Sequence, residues 1–374
     1  MTAPETPEQS LGEALRVAYP ELGAIGAAGD GSVYLIGGAV RDLLLHRGRA
    51  DIDLVVVGDA AALAARIGAE AVAHERFGTA KVAHEGHQLD IAGARTESYP
   101  YPGALPVVEP AIDIEADLGR RDFTINAMAL PLSGEARLVD PHDGRDDLEA
   151  GLLRVLHPGS FVDDPTRAIR AARYAARFDF ALESETERLL RATDLTTVSA
   201  DRRRAELLRL AAEATAPRGF GLLAEWGLVE LREGGVELAT LVAELLGSGP
   251  WSGFAPLGWT VLAAALGPEG PETELIATRP ERPSQGVELA RGHDPVELVL
   301  ARALGVAWLD EYVREWRLIE LEIAGADLIA AGVPEGPALG RGLAAALQAK
   351  LDGEVGDREG ELAVALAAAG PASA

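Results

Sequence analysis

Apolar residues follow two spacing patterns along the chain. Up to about residue 160 they form short blocks or alternate with polar residues, and beyond that point they recur every three or four residues. The first pattern predicts strands at 33–36 and 52–57, a hairpin of 79–83 with 88–91, and helices at 39–46 and 60–72. Strands and helices in this order indicate an α/β head of about 150 residues.

The second part of the chain is predicted to be helical. Pro165 suits the first position of a helix, and the residues after it keep helical spacing. The predicted helices are 166–178, 183–193, 200–214 and 217–226. Proline and glycine cluster at 247–258, 267–286 and 332–342. These clusters predict turns, the last of them before a final pair of alanine-rich helices.

The composition indicates a folded chain with hydrophobic cores. Of its 374 residues, 48% are apolar and 25% are charged, which excludes disordered, collagen-like and disulfide-rich classes and suggests about two or three domains. The absence of cysteine excludes a thiolate metal site and a cysteine nucleophile. The acidic N-terminus lacks a secretory leader pattern, and no apolar stretch reaches about 20 residues. We therefore expect a soluble, cytoplasmic protein without a membrane partner.

Charge is distributed unevenly on a strongly acidic chain. The formal net charge is −25, which argues against a general binder of polyanions. Residues 1–220 hold 24 basic and 35 acidic side chains, and residues 221–374 hold 10 and 24. All basic residues except Lys81 and Lys350 are arginines, which make forked contacts to phosphates and base edges. Any contact with nucleic acid is therefore predicted to use a local arginine-lined surface.

The first motif with candidate chemistry is the GGAVRD sequence after the first predicted strand, followed by Asp51 and Asp53. A glycine pair between a strand and a helix, here Gly37 and Gly38, lets the backbone approach a phosphate closely. The two aspartates are two residues apart on a strand, so they point to one face, where Mg²⁺ would relieve their repulsion. The alternative is a tight turn beside two solvent-facing acids. The Walker pattern of P-loop NTPases is absent.

The second motif spans residues 117–129. Asp122 and Asn126 are four residues apart, so on a helix they would share a face and could hydrogen-bond a ribose. Arg121 could contact a phosphate through both guanidinium nitrogens. A capped helix with surface ion pairs explains the same residues equally well.

The third motif spans residues 163–173, where arginines recur every three residues after Asp164. A carboxylate beside a guanidinium, such as Asp164 and Arg167, offers acceptors and donors that can match the edge of a base. The alternative is a solvated charged helix face. For a fourth run, 201–208, we favour a structural ion-pair helix over a site.

In this order and at these spacings, the four motifs resemble those of the class II tRNA nucleotidyltransferases (CCA-adding enzymes) and their bacterial poly(A) polymerase relatives. The resemblance is dense from Tyr34 to Leu210, and residues 332–366 are similar to the family's closing helical segment. It implies an α+β fold with a polymerase-β-like nucleotidyltransferase head that contains a mixed sheet. An elongated all-helical neck, body and tail would follow. The implied domains are the catalytic head (1–150), the neck for base recognition (151–220) and the body and tail for tRNA binding (221–374).

The resemblance also implies a role for each matched residue. It implies that Gly37, Gly38 and Arg41 bind the triphosphate. It implies that Asp51 and Asp53 bind the catalytic Mg²⁺, and that Asp90 is a third catalytic carboxylate. It implies that Arg121, Asp122 and Asn126 lie on the ribose side of the nucleotide. It implies that Asp164 and Arg167 select the base, with Arg170 and Arg173 lining the same pocket. The glutamate that usually precedes the base-selecting aspartate in this family is Asp163 here.

The reaction implied by the resemblance is Mg²⁺-dependent transfer of a nucleotidyl group from CTP or ATP to the 3′ end of tRNA. Protein side chains would select the base, and the tRNA acceptor arm would be the partner. Within the family, addition of CCA, of CC alone, of A alone, and poly(A) synthesis remain open. Outside it, the alternatives are a non-catalytic nucleotide- or RNA-binding relative and a nucleotidyltransferase for small molecules or proteins.

Overall fold

The computed structural model describes residues 7–29, 32–47, 51–67, 70–74, 79–84, 87–267 and 272–370. The chain divides into two compact units. One comprises Met1–Leu207 with Glu225–Leu228, and the other comprises Leu208–Ala224 with Val229–Ala374. Among the helices in these described ranges, none combines the length and the apolar character needed to cross a membrane.

A mixed sheet organises the first unit. The strands are β1 (Val33–Ile36), β2 (Ile52–Val56), β3 (Glu70–His74), β4 (Thr79–His84), β5 (His87–Gly93), β6 (Arg95–Ser98), β7 (Val107–Pro110), β8 (Ala129–Pro131), β9 (Leu152–Leu153) and β10 (Ala181–Leu182). The main sheet has the order β3-β4-β5-β2-β1-β8. Its β2 and β5 are parallel, and its other pairs are antiparallel. The wholly apolar β1 lies inside this sheet, as expected for a strand covered on both faces.

Helices and two strand pairs complete the first unit. Its first nine helices are α1 (Pro7–Ala18), α2 (Leu22–Ala28), α3 (Gly38–Leu44), α4 (Ala60–Arg66), α5 (Ile114–Leu118), α6 (Gly144–Ala150), α7 (Ser160–Asp163), α8 (Thr166–Phe178) and α9 (Ser184–Arg191). Strands β6 and β7 form a separate antiparallel pair, and β9 and β10 a parallel one. A core cluster joins α5 to the sheet through Leu118, Ile36 and Val55. This packing holds the segment after α5 beside β1 and β2.

The strand and hairpin predictions for the first unit are confirmed, and α8 has the predicted bounds. One prediction was wrong: the helix expected over 60–72 ends at Arg66, and residues 70–74 form β3. Gly68 is a weak helix former, and the alanine-rich residues after it fit either element. Pairing with β4 therefore decides in favour of a strand.

The second unit is helical in the part that the structure describes. The remaining helices of the chain are α10 (Ala200–Ala211), α11 (Ala216–Glu225), α12 (Gly235–Gly247), α13 (Leu257–Leu266), α14 (Glu272–Ala277), α15 (Pro283–Arg291), α16 (Pro295–Ala303), α17 (Leu309–Arg314), α18 (Gly325–Ala330), α19 (Pro337–Leu351) and α20 (Arg358–Ala369). The last three share a core that includes Leu328, Ala346 and Ala365. At Gly342, a side chain would lie 2.7 Å from the carbonyl oxygen of Ala365, so glycine permits the close approach of α19 to α20.

Two predicted breaks in this unit were too wide. Residues 267–286 contain α14 and the start of α15, and residues 332–342 contain the start of α19. In both cases a proline, Pro283 or Pro337, occupies the first turn of the helix. Proline is favourable there because the first amide has no partner within the helix. The α+β fold class and the final helix pair are confirmed, and the short pair β9–β10 is an addition to the predicted helical region.

Candidate active site

The turn from β1 into α3 forms one wall of the candidate site. Gly37 has φ 60° and ψ −123°, a conformation that strongly favours glycine. A side chain there would lie 3.1 Å from Nη1 of Arg121, so the glycine also makes room for that guanidinium. On α3, Arg41 is 4% exposed and donates from Nε to Asp42 at 2.9 Å and from Nη1 to the side-chain oxygen of Asn126. The wall therefore presents a backbone turn and a fixed guanidinium.

Asp51 and Asp53 form the facing wall. Along β2 the side chains of Ile52 and Leu54 are buried and Asp53 is exposed, so the alternation predicted from the spacing is present. Asp90 on β5 is the parallel register partner of Asp53. Partial desolvation by the surrounding groups raises the pKa of Asp53. The charges of Asp90 and Asp51 raise it further, and the charge of Arg121 lowers it. The carboxylates therefore repel one another at a site that a cation would stabilise.

The walls enclose a cavity of about 520 Å³ in the first unit. The predicted site residues that line it are Gly37, Gly38, Arg41, Asp51, Asp53, Arg121, Asp122, Asn126, Arg170 and Arg173. It is also lined by Asp42, Tyr174 and Arg177, which the sequence interpretation missed. Five arginines thus face four aspartates around one space. Among the described residues, no group of three or more His, Asp or Glu side chains is arranged to hold a metal ion.

Asp122 links the turn after α5 to α8. Its Oδ1 accepts hydrogen bonds from the Phe123 amide and from Nδ2 of Asn126, both at 2.9 Å, and its Oδ2 accepts from Nε of Arg170 at 2.8 Å. Burial alone would raise the pKa of Asp122, but Arg170 and Asn126 lower it to about 2. The predicted proximity of Asp122 and Asn126 is present, across a 3₁₀ turn over Thr124–Asn126 rather than on an α-helix.

Asp117 fixes the guanidinium of Arg121 from behind. This carboxylate is fully buried and accepts from Nη2 of Arg121 at 2.9 Å, from Nε of Arg120 at 3.0 Å and from the Arg95 amide at 3.1 Å. Although burial raises it, the two guanidiniums hold the pKa of Asp117 below its ordinary value. The sequence signal for this contact was the four-residue spacing between Asp117 and Arg121.

Aromatic rings on α8 separate the arginines of the cavity. Tyr174 accepts a hydrogen bond from Nη2 of Arg170 at 3.0 Å, and its ring lies 5.1 Å from the Arg173 guanidinium carbon. The Phe178 ring lies 4.5 Å from the corresponding carbon of Arg41. Guanidiniums stack well on such faces. Arg170, Tyr174 and Phe178 are spaced four residues apart, and this spacing in the sequence already indicated that they lie on one face of the helix.

Asp164 and Arg167 do not line the cavity and form a separate patch with Tyr99, which we call the Asp164 patch. Arg167 donates to Oγ of Ser160 at 2.7 Å and to the carbonyl oxygen of Arg120 at 2.8 Å. Burial and Glu97 raise the pKa of Tyr99 to about 12. The charge of Arg167 lowers this pKa and the charge of Asp164 raises it, so both lie close to the hydroxyl.

The helix geometry explains why the arginines of α8 separate. At about 100° per residue, Arg167 and Arg173 lie about 120° apart around the helix axis, so they face different sides. Arg170, between them, faces the cavity. The expectation that all four residues of this motif line one pocket therefore holds in the structure for Arg170 and Arg173. Asp164 and Arg167 lie beside that pocket, across the backbone of Arg120.

Comparison with known proteins matches this chain and its fold to one family. The family described as the Poly A polymerase head domain matches residues 33–154. The A-adding tRNA nucleotidyltransferase of Halalkalibacterium halodurans is 39% identical over 267 residues, covering 66% of this chain and 61% of its own length. The CC-adding tRNA nucleotidyltransferase of Deinococcus radiodurans is 35% identical over 334 residues, covering 85% of this chain and 84% of its own length.

A solved structure covers nearly the whole chain. The Thermotoga maritima CCA-adding enzyme, complexed with tRNA, has a TM-score of 0.70 and 28% identity over 96% of this chain and 98% of its own. By contrast, this chain spans less than two thirds of the length of A-adding relatives, 61% for the one above and 46% for that of Geobacter sulfurreducens. The family resemblance of the sequence motifs is confirmed. The chain belongs to the family of tRNA nucleotidyltransferases that carry the poly(A) polymerase head domain.

Proposed function

We propose that this chain transfers nucleotidyl groups from CTP or ATP to the 3′ end of tRNA and releases pyrophosphate. The observation that carries the proposal is the cavity in which Asp51 and Asp53 face Arg41, Arg121 and Arg173 across a glycine turn. A triphosphate needs both a cationic wall and a metal-binding wall, and these two walls are chemically suited to it. The A-adding and CC-adding names of the relatives support adenine and cytosine nucleotides as substrates.

Asp51 and Asp53 are the proposed holders of Mg²⁺. Their carboxylate oxygens are the ligand type that Mg²⁺ prefers. Desolvation and the charges of Asp90 and Asp51 raise the pKa of Asp53, and a divalent cation would relieve the repulsion among these carboxylates. When bound, the metal supplies positive charge at the phosphate that is attacked and at the leaving pyrophosphate. Asp90, in register beside Asp53, contributes negative charge to the same wall.

The arginines orient the triphosphate in this proposal. Arg41 and Arg121 are held by Asp42 and Asp117, so their guanidiniums are fixed before the nucleotide arrives. Arg173 is directed into the cavity with its Nε buried and without a hydrogen-bond partner in the described structure. A buried unpaired donor is unfavourable, and a phosphate oxygen would satisfy it. Gly37 and Gly38 add no side chain to this wall, so the backbone of the turn stays open to the phosphates.

In this proposal the ribose and the base contact residues next to the triphosphate site. Asp122 and Asn126 line the cavity with polar atoms at hydrogen-bonding distance from one another, so either can exchange a partner for a ribose hydroxyl. Asp164 and Arg167 offer an acceptor and a donor to the base edge. CTP and ATP carry an amino group there, whereas UTP and GTP carry an oxygen. A mismatched edge leaves buried groups unpaired, at about 1–3 kcal/mol each.

The remaining assignments follow the family. Residues 1–150 are the catalytic head, residues 151–220 the neck that selects the base, and residues 221–374 the body and tail that bind the tRNA acceptor arm. The complex of the Thermotoga maritima relative with tRNA supports this partner. A cytoplasmic location is part of the proposal because the tRNA substrate is there.

The test uses three tRNAs that end before the first C, after CC, and after the complete CCA. Each is incubated with Mg²⁺ and labelled CTP or ATP, and products are resolved to one nucleotide. CTP incorporation on the first tRNA and ATP incorporation on the second indicate full CCA addition. CTP alone indicates CC addition, ATP alone on the CC end indicates A addition, and long adenylate tails indicate poly(A) synthesis. Failure of every tRNA to accept a nucleotide would contradict the proposal.

A further inference from the structure

An arginine from another helix reaches the Asp164 patch. Arg202 of α10 donates from Nη2 to Oδ1 of Asp164 at 3.0 Å and from Nη1 to the carbonyl oxygen of Gly103 at 2.8 Å. One guanidinium therefore contacts both the candidate base-selecting carboxylate and the turn between β6 and β7. The run 201–208 was expected to be a structural ion-pair helix, and this ion pair instead ends on a candidate site residue.

Every hydrogen bond that the structure gives to the Asp164 carboxylate reaches the same oxygen. Besides Arg202, the amide of Thr166 donates to Oδ1 at 3.1 Å and the Thr166 hydroxyl donates to it at 2.7 Å. None of these three bonds uses Oδ2. A carboxylate held by three donors on one oxygen has its plane fixed, so the direction of Oδ2 is fixed as well.

The other contact of Arg202 is equally constrained. The Gly103 amide donates to the carbonyl oxygen of Val162 at 3.1 Å, and Gly103 has φ +70°. A side chain at Gly103 would lie 2.6 Å from the carbonyl oxygen of Thr197. The turn is therefore packed between α7 and the 3₁₀ turn at 195–197. Its carbonyl oxygen gives Arg202 a fixed second anchor, which keeps the guanidinium against Asp164.

We propose that Arg202 is a positioning residue for base selection: by holding Oδ1 of Asp164, it directs Oδ2 toward the amino group of the incoming cytosine or adenine. This inference rests on the proposed function. Cytosine N4 and adenine N6 donate hydrogen bonds, whereas uracil O4 and guanine O6 only accept them. A carboxylate oxygen with a fixed direction accepts from the first pair and repels the second. A carboxylate free to rotate discriminates less.

The experiment compares Arg202→Met with Arg203→Met. Arg203 is the matched control because it is the next residue of α10 and donates to a main-chain oxygen, that of Leu195 at 3.1 Å, away from Asp164. The readout is the ratio of kcat/KM for CTP or ATP, whichever the wild type adds, to kcat/KM for UTP or GTP. Loss of a charged hydrogen bond predicts a ratio about 10- to 100-fold lower in Arg202→Met and unchanged in Arg203→Met.

Two further variants separate positioning from folding. Arg202→Lys keeps the charge, but one ammonium nitrogen replaces the two guanidinium nitrogens that contact Asp164 and Gly103, so we expect an intermediate ratio with the fold retained. In an Asp164→Asn background, Arg202→Met should produce no further loss of selectivity, because the carboxylate through which it acts is already gone.

Two results would overturn the role of Arg202 and leave the proposed function intact. The first is a nucleotide selectivity of Arg202→Lys equal to that of the wild type, which overturns the inference even if Arg202→Met does not fold. Equal losses in Arg202→Met and Arg203→Met also overturn it, because a general loosening of α10 would then be the cause. In both cases the proposed function stands, since the wild type still adds nucleotides selectively. A wild type that adds no nucleotide to any tRNA overturns the proposed function and this inference together.

Discussion

Replacing Asp122 with asparagine removes the charge that joins the turn after α5 to Arg170 of α8. The pKa of Asp122 lies at about 2 against an ordinary 3.8. At about 1.4 kcal/mol for each pH unit, this difference corresponds to about 2.5 kcal/mol of unfolding free energy at pH 7. Asp122 is 8% exposed, so solvent screens the pair little. We therefore expect Asp122→Asn to destabilise the first unit by about 2–3 kcal/mol at neutral pH.

The stabilisation by Asp122 should decrease as the pH falls. Because the folded pKa of Asp122 is lower than the unfolded one, its stabilisation is complete above the unfolded pKa and is lost as the pH falls through the folded value of about 2. Arg170 stays protonated throughout, so only the carboxylate titrates. At pH 3 about half of the difference between wild type and variant should remain.

The assay is urea unfolding followed by hydrogen exchange in peptides from α8, which reads the first unit separately from the second. Ser32 is the control position in the same unit. Its hydroxyl donates to the carbonyl oxygen of Gly29, which does not titrate, so Ser32→Ala changes stability without this pH dependence. A difference below about 0.5 kcal/mol for Asp122→Asn, or one that stays constant from pH 7 to pH 3, would mean that the Asp122–Arg170 pair does not stabilise the first unit in this way.

Three other predictions concern the cavity, the second unit and RNA binding. Gly37→Ala should lower kcat/KM about tenfold or more, since the new methyl group crowds a cavity arginine, whereas Gly134→Ala, at φ +78° with open space around it, should leave activity unchanged. Gly342→Ala should destabilise the second unit by about 1–3 kcal/mol in thermal unfolding because its Cβ meets α20, and Gly340→Ala on the same helix should stabilise it by up to about 1 kcal/mol. The logarithm of the binding constant for tRNA should fall linearly with the logarithm of salt concentration in a binding titration, and a flat response would mean that phosphates are not contacted.

Local spacing was sufficient to predict the two walls of the cavity. The glycine turn follows a strand whose apolar block is unmistakable, and the alternation around Asp53 fixes which face the acids share. The bounds of α8 were also predicted, because Pro165 precedes it and helical spacing continues to residue 178. In the structure, Asp179 then ends the helix in the left-handed conformation that aspartate tolerates. These features depend on residues that are close together in the chain.

Features that depend on distant residues were not predicted. The contact of Arg202 with Asp164 spans 38 residues, and that of Arg170 with Asp122 spans 48. No periodicity encodes such pairs, because the fold alone brings their elements together. The same reason explains why residues 70–74 become a strand, since pairing with β4 outweighs a weak helix propensity. Helix geometry alone could have predicted that Arg167 and Arg173 face different sides. The regular three-residue spacing instead suggested that these arginines line one pocket.

We propose above that Asp51 and Asp53, facing the arginine wall, form the metal-dependent centre of nucleotide transfer. The most direct measurement is the single-turnover rate of labelled nucleotide addition to tRNA at saturating Mg²⁺ and nucleotide. The comparison is between wild type, Asp53→Asn and Asp146→Asn, the last an exposed acid on α6 outside the cavity. We expect Asp53→Asn to lose at least about a hundredfold in rate with its unfolding midpoint retained, and Asp146→Asn to match the wild type. A folded Asp53→Asn protein that adds nucleotides within about threefold of the wild-type rate would mean that this carboxylate is not part of the catalytic centre.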